Sequence, residues 1–184
     1  MAIIKLSSTR LAFPALFEAQ TVNGEGEPAF SAVFLIAKDD PQIANIKAAI
    51  VEVAKEKWGA KAEDHLAKMV AGDKTALHNG DLKSEYDGFQ GMFYISARNK
   101  TRPTVIDRDK SPLNQVDGKP YAGCYVNTSL ELWAQDNKYG KRINASLRGV
   151  QFFKDGDAFA GGGAAKDDEF EDLTEGAAAE ADLW

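Results

Sequence analysis

The stretch Tyr121-Ala122-Gly123-Cys124-Tyr125-Val126-Asn127-Thr128-Ser129-Leu130-Glu131-Leu132-Trp133-Ala134 reads as a β-strand with two chemically different faces. Side chains alternate across a strand. Ala122, Cys124, Val126, Thr128, Leu130, Leu132 and Ala134 therefore share one face, which suits a core. Tyr121, Gly123, Tyr125, Asn127, Ser129, Glu131 and Trp133 share the other. Three large aromatics thus stand on the polar side, where core packing does not call for them.

Strands predicted over residues 92–98 and 141–153 repeat the division. Phe93, Ile95 and Ala97 point inward, leaving Tyr94, Ser96 and Arg98 outward; Ile143, Ala145 and Leu147 point inward, leaving Arg142, Asn144, Ser146 and Arg148 outward. A face with Tyr94, Tyr121, Tyr125 and Trp133 beside Arg98, Arg142 and Arg148 fits a nucleic-acid single strand. Unpaired bases stack on aromatic rings at about 1–3 kcal/mol each while guanidinium groups track the phosphates. A duplex hides those base faces. The competing reading is a second core layer that covers the rings, but it would bury unpaired arginines at high cost.

Working outward, residues 10–19 and 29–37 form two more strands, Pro14 marking the first as an edge or bulged strand. Asn23-Gly24-Glu25-Gly26 supplies a hairpin turn between them. No strand–loop–helix context surrounds these glycines, so they do not read as a phosphate loop. Asp40-Pro41 opens a helix that Gly59 closes, with Ile43, Ile46, Ile50, Val53 and Ala54 on one face. A shorter helix is expected over 62–71, its stripe being Leu66, Met69 and Val70. Residues 72–91 and 99–120 read as long connections. Five strands with a helical insertion predict a mainly β, α+β chain: a five-stranded barrel of the OB type, which binds oligonucleotides across one sheet face.

The 184 residues include 22 Lys+Arg and 28 Asp+Glu, but the charge is unevenly placed. Residues 160–184 hold eight acids against Lys166 alone, after the Gly161-Gly162-Gly163 run. Such a segment has too little apolar surface to offset its ordering entropy and is expected to be a disordered acidic tail on a body spanning 1–159. Between Arg98 and Lys154 eleven bases face five acids. A basic half with an acidic tail is the charge asymmetry of nucleic-acid binders.

Other classes fit less well. No 18-residue apolar run is present, so no membrane partner is expected. The lone Cys124 cannot form an internal disulfide, which fits a reducing compartment. Two histidines and one cysteine are too few for a His/Cys zinc site, and no cofactor or metal is expected. Asp107, Asp109 and Asp117 are the carboxylates a metal-dependent nuclease would use. Arg108 and Lys110 among them, with the turn signals Ser111-Pro112 and Asp117-Gly118, favour a loop instead. A structural, virion-associated protein would share the β-rich body, but it has no use for outward Tyr and Arg on adjacent strands. Exposed β edges are compatible with a homodimer.

Several blocks carry a family resemblance. Arg10-Leu11-Ala12-Phe13-Pro14-Ala15-Leu16-Phe17-Glu18 with Gly26-Glu27-Pro28-Ala29-Phe30-Ser31-Ala32, then Asn99-Lys100-Thr101-Arg102-Pro103-Thr104-Val105-Ile106-Asp107, then Tyr121-Ala122-Gly123-Cys124-Tyr125-Val126-Asn127 and the exit over 151–163, resemble a phage family once catalogued only as a domain of unknown function. That family is associated with phage single-stranded DNA-binding proteins and is similar in plan to those of T-seven-type phages. The resemblance implies an OB-fold variant that binds single-stranded DNA without catalysis, acts in replication and recombination, and works in the host cytoplasm. It also implies that Lys100 and Arg102 contact the DNA backbone, with Tyr121 and Tyr125 near the groove. Finally, it implies a tail whose Asp182-Leu183-Trp184 docks phage replication proteins (polymerase, helicase/primase); Trp184 stands where tails of that group often carry phenylalanine.

Overall fold

The computed structural model describes residues 1–22 and 24–159, together with Leu173. The acidic tail expected over 160–184 therefore lies outside the described residues, apart from Leu173. Seven strands and two helices follow one another as β1 (Ala2–Val22), β2 (Glu25–Ala37), α1 (Gln42–Trp58), α2 (Ala62–Ala71), β3 (Leu77–Asn79), β4 (Met92–Asn99), β5 (Thr104–Ile106), β6 (Tyr125–Asn137) and β7 (Gly140–Lys154).

Five of the strands close on themselves. β1 pairs antiparallel with β2 on one side and β6 on the other, β2 with β4, and β6 with β7. A parallel contact between β4 and β7, at Arg98 opposite Ser146, completes the ring β1-β2-β4-β7-β6. This is the five-stranded barrel expected from the sequence, with its helices inserted after the second barrel strand. β3 and β5 are short additions to the edges of β4 and β7.

β1 reaches all the way from Ala2, well before the predicted start at residue 10. Its first half pairs with β6 and its second with β2, so the strand must bend sharply to serve both. The bends fall at register shifts between Leu6 and Thr9 and between Ala12 and Ala15, where Ser8 and Phe13 have φ of 54° and 46°. A β-bulge of this kind increases strand twist and re-aims side chains. Pro14, which has no N–H for a ladder bond, sits at the second bulge.

β6 starts at Tyr125, not at Tyr121. Gly123 has φ of 103°, which interrupts the extended backbone, and Cys124 N–H turns back to the Tyr121 carbonyl at 3.2 Å. From Val126 onward the predicted alternation holds: Val126, Thr128, Leu130 and Leu132 are buried, and the residues between them are half-buried. They join Leu11, Phe34, Ile36, Ile95, Ala97, Ile143 and Leu147 in the barrel interior.

α1 forms where the stripe Ile43, Ile46, Ile50, Val53 and Ala54 recurs at three- and four-residue spacing, and this face packs on β1, β6 and β7. The Asp40 carboxylate accepts the Gln42 N–H at 2.9 Å, and Lys55 and Lys57 complement the dipole at the other end. Gly59, at φ 55°, ends the helix. Ile46 is fully buried, so truncation to alanine should cost about 2–5 kcal/mol.

Candidate nucleic-acid interface

The outer face of the barrel carries a cleft of about 800 Å³ between the β1–β2 hairpin and the β6–β7 hairpin. β4 contributes Ser96 and Arg98, β6 contributes Trp133 and Gln135, and β7 contributes Arg142, Asn144 and Ser146. Alternation on three neighbouring strands places all of these on one surface while Ile95, Ala97, Leu132 and Leu147 fill the interior. In OB barrels the corresponding face, flanked by these two loops, takes oligonucleotides.

Polar contacts order the wall. Trp133 Nε1 donates to Ser146 Oγ at 2.9 Å, and Asn144 Nδ2 donates to Gln135 Oε1 at 3.0 Å. Lys100 pairs with Glu27 at the rim, and its ammonium holds the Glu27 carboxyl below the usual range. Among the described residues the Arg98 and Arg142 guanidinium groups make no hydrogen bond and no ion pair, although both line the cleft. Two such cations beside an indole combine a flat apolar ring with two positive charges on one surface.

Residues 2–183 match the family described as "Enterobacter phage Enc34, ssDNA-binding protein". The chain belongs to this family. Protein p50 of Acyrthosiphon pisum secondary endosymbiont phage 1 is 51% identical over 174 residues, 93% of this chain and 94% of that protein. The single-stranded DNA-binding protein from bacteriophage Enc34, solved in complex with ssDNA, is 32% identical, with a TM-score of 0.73 over 86% of this chain and 89% of that one. The bacteriophage T7 single-stranded DNA-binding protein gp2.5 is 14% identical with a TM-score of 0.59, covering 94% and 98% of the two chains; that likeness is one of fold.

In this member of the Enc34 family, the seven residues predicted on one face, together with Lys100 and Arg102 from the family resemblance, divide into groups. Arg98, Lys100, Trp133 and Arg142 meet in the cleft. Tyr94 flanks it, stacked on cleft-lining His78 with centroids 5.0 Å apart; burial, and then the nearby Asp73, raises its phenol pKa. Arg102 lies beyond β4 with its guanidinium 5.8 Å from the Phe17 ring centroid.

The other three stand elsewhere. Arg148 falls at a register shift, where Ser129 opposes Gly149 but Leu130 opposes Leu147, and it lines a separate pocket with Lys5, Ser7, Asn127 and Gln151. Tyr125 lies under two cations, Arg10 at 5.8 Å and Lys154 at 4.8 Å. Tyr121 holds down the chain leaving the barrel: its Oη is 2.7 Å from Asp155 Oδ1 and accepts the Gly156 N–H at 3.2 Å. Burial, helped by the Asp155 carboxylate, pushes that phenol up to about 12.

The exit from the barrel is built on close backbone approach. A Cβ on Gly123 would stand 2.2 Å from the Asp157 carbonyl oxygen, and one on Gly156 would stand 2.3 Å from the Gly123 carbonyl oxygen. Arg10 locks the segment by donating to the Gly123 and Asp157 carbonyls at 3.0 and 2.8 Å and by lying 4.4 Å from the Phe159 ring centroid.

The nuclease reading loses its carboxylates to turn chemistry. Asp107 accepts from Lys119 Nζ at 2.9 Å and Arg108 N–H at 2.8 Å, Asp109 from Ser111 N–H and Oγ, and Asp117 from Asn114 N–H. Among the described residues no three His, Cys, Asp or Glu side chains converge on a metal position. No helix among them is long and apolar enough to cross a membrane.

Sequence reading missed His78, whose three-residue strand is too short to show periodicity.

Proposed function

We propose that this chain is a phage single-stranded DNA-binding protein that threads an unpaired strand through the cleft, stacking bases on Trp133 and placing phosphates against Arg98 and Arg142. The observation that carries the reading is the pair of arginines that, among the described residues, make no hydrogen bond or ion pair and stand beside an indole on the OB ligand face. Lys100 joins them once phosphate displaces Glu27 from an ion pair that is mostly exposed and correspondingly weak. Arg102 and Arg148 extend the positive field outside the cleft, while Tyr121 and Tyr125 act by anchoring the exit. Family membership and the Enc34 protein solved with ssDNA support the same reading. Binding is stoichiometric and sequence-tolerant, and serves replication and recombination.

Residues 1–159 form the binding body and residues 160–184 a separate acidic arm. With eight acids against one base, the arm competes with DNA as a weak polyanion held at an effective concentration on the order of millimolar. DNA displaces it, and Asp182, Leu183 and Trp184 then dock replication proteins. Competition of a labelled single-stranded oligonucleotide against unlabelled single-stranded and duplex DNA tests the reading. Single strands should compete far better; equal competition by duplex would overturn it.

A further inference from the structure

A run of ring contacts leads away from the cleft across the outer face of β4, β2 and β1. It starts at cleft-lining His78, which stacks on Tyr94 at 5.0 Å. Tyr94 meets Phe89 edge-on at 5.2 Å, and Phe89 lies 6.0 Å from Phe13 and 5.7 Å from Tyr86. Phe13 and Tyr86 then meet edge-on at 5.1 Å. Phe89 is buried and His78 and Tyr94 are half-buried, but Phe13 is 54% exposed and Tyr86 43%.

Phe13 stands out in a second way. Its φ of 46° lies in the left-handed region, which bulky side chains rarely enter and which costs about 1–3 kcal/mol. The strain is not offset by burial of the ring, since more than half of its surface stays in water. The bulge at Ala12–Ala15 therefore spends backbone energy to hold a phenyl ring outward at the end of an aromatic row.

We infer that the Phe13–Tyr86 ledge is a second stacking site for bases of the same strand, engaged only when the strand is long enough to leave the cleft over Tyr94. The inference rests on the cleft reading and adds a direction and a length to it. Continuity through His78 and Tyr94 favours the same strand over a separate ligand. Edge-to-face ring pairs leave outer ring faces open to a base.

The test uses the full chain and two oligothymidines, of about 4 and about 16 nucleotides, spanning the usual range of site sizes for one OB fold. The variants are Phe13→Asn, whose side chain tolerates a left-handed backbone, and Tyr86→Ser. Each should weaken binding of the longer strand about 5-fold or more, the loss expected for one stacked base, and leave the shorter strand's affinity unchanged. The unfolding temperature of Phe13→Asn should equal or exceed that of the parent, because the strain is relieved. Unchanged binding of the longer strand by both variants would overturn the ledge as a stacking site. Equal losses at both lengths would also overturn it, as a general disturbance of the face. Failure of the parent chain to bind either strand would overturn the cleft reading beneath it.

Discussion

Trp133 donates its indole N–H to Ser146 at 2.9 Å, and Ser146 is the residue that pairs with Arg98 where β4 meets β7. One hydrogen bond thus fixes the ring next to the strand contact that closes the barrel, beside a guanidinium that has no hydrogen-bond or ion-pair partner among the described residues. Fold closure and the proposed binding surface share the same few residues.

Replacement of Trp133 by alanine should cost about 1–3 kcal/mol of single-strand affinity, the stacking energy of a base. Trp133→Phe keeps a stacking face and should lose much less. Ser146→Ala keeps the indole but not its tether, and should cost at most about 1 kcal/mol. Fluorescence anisotropy on a short oligothymidine ranks the three, and equal affinities for Trp133→Ala and the parent would remove the ring from the interface.

Tyr121 gives a prediction in pH. Its phenol is raised from 10.0 to about 12 in the folded chain, so folding favours the protonated form. The stabilisation is complete below pH 10 and disappears as the pH rises towards 12. Tyr121→Phe removes this contribution along with hydrogen bonds worth about 0.5–1.5 kcal/mol. Denaturant midpoints measured from pH 9 to 12 should fall more steeply for the parent than for the variant, and parallel curves would refute the assignment.

Cys124 is fully buried behind this exit segment, and burial pushes its thiol up to about 11. The thiolate is the reactive form. Alkylation at neutral pH should therefore be slow in the native chain and become fast in denaturant. Rapid native labelling would show that the exit segment opens readily.

Deleting residues 167–184 removes all eight acids of the arm. Affinity for a short single strand should rise several-fold at low salt, and the gain should shrink as salt screens the competing charges. Weaker binding on deletion would contradict an inhibitory arm.

Much of this surface was legible in the sequence because alternation is a local property. Val126, Leu130 and Leu132 mark the interior of β6, so Trp133 must face outward, and the same logic places Arg98 and Arg142. Alternation says nothing about how far a strand wraps. β7 runs for 15 residues around the barrel and shifts register beside Arg148, so that arginine leaves the surface occupied by Arg142. Tyr121 obeys the alternation on paper, yet Gly123 turns the chain before the strand begins. Phe13 and Tyr86 depend on a bulge and on a loop packed from a distance, neither of which leaves a periodic trace.

The central claim is that Arg98 and Arg142 neutralise phosphates of a single strand. It is tested most directly by titrating affinity against salt for the parent and for the Arg98→Ala/Arg142→Ala double variant. Each lost contact should reduce the steepness of log affinity against log salt by about 0.7, so the two slopes should differ by about 1.4. Identical slopes would place the phosphates elsewhere and contradict the account.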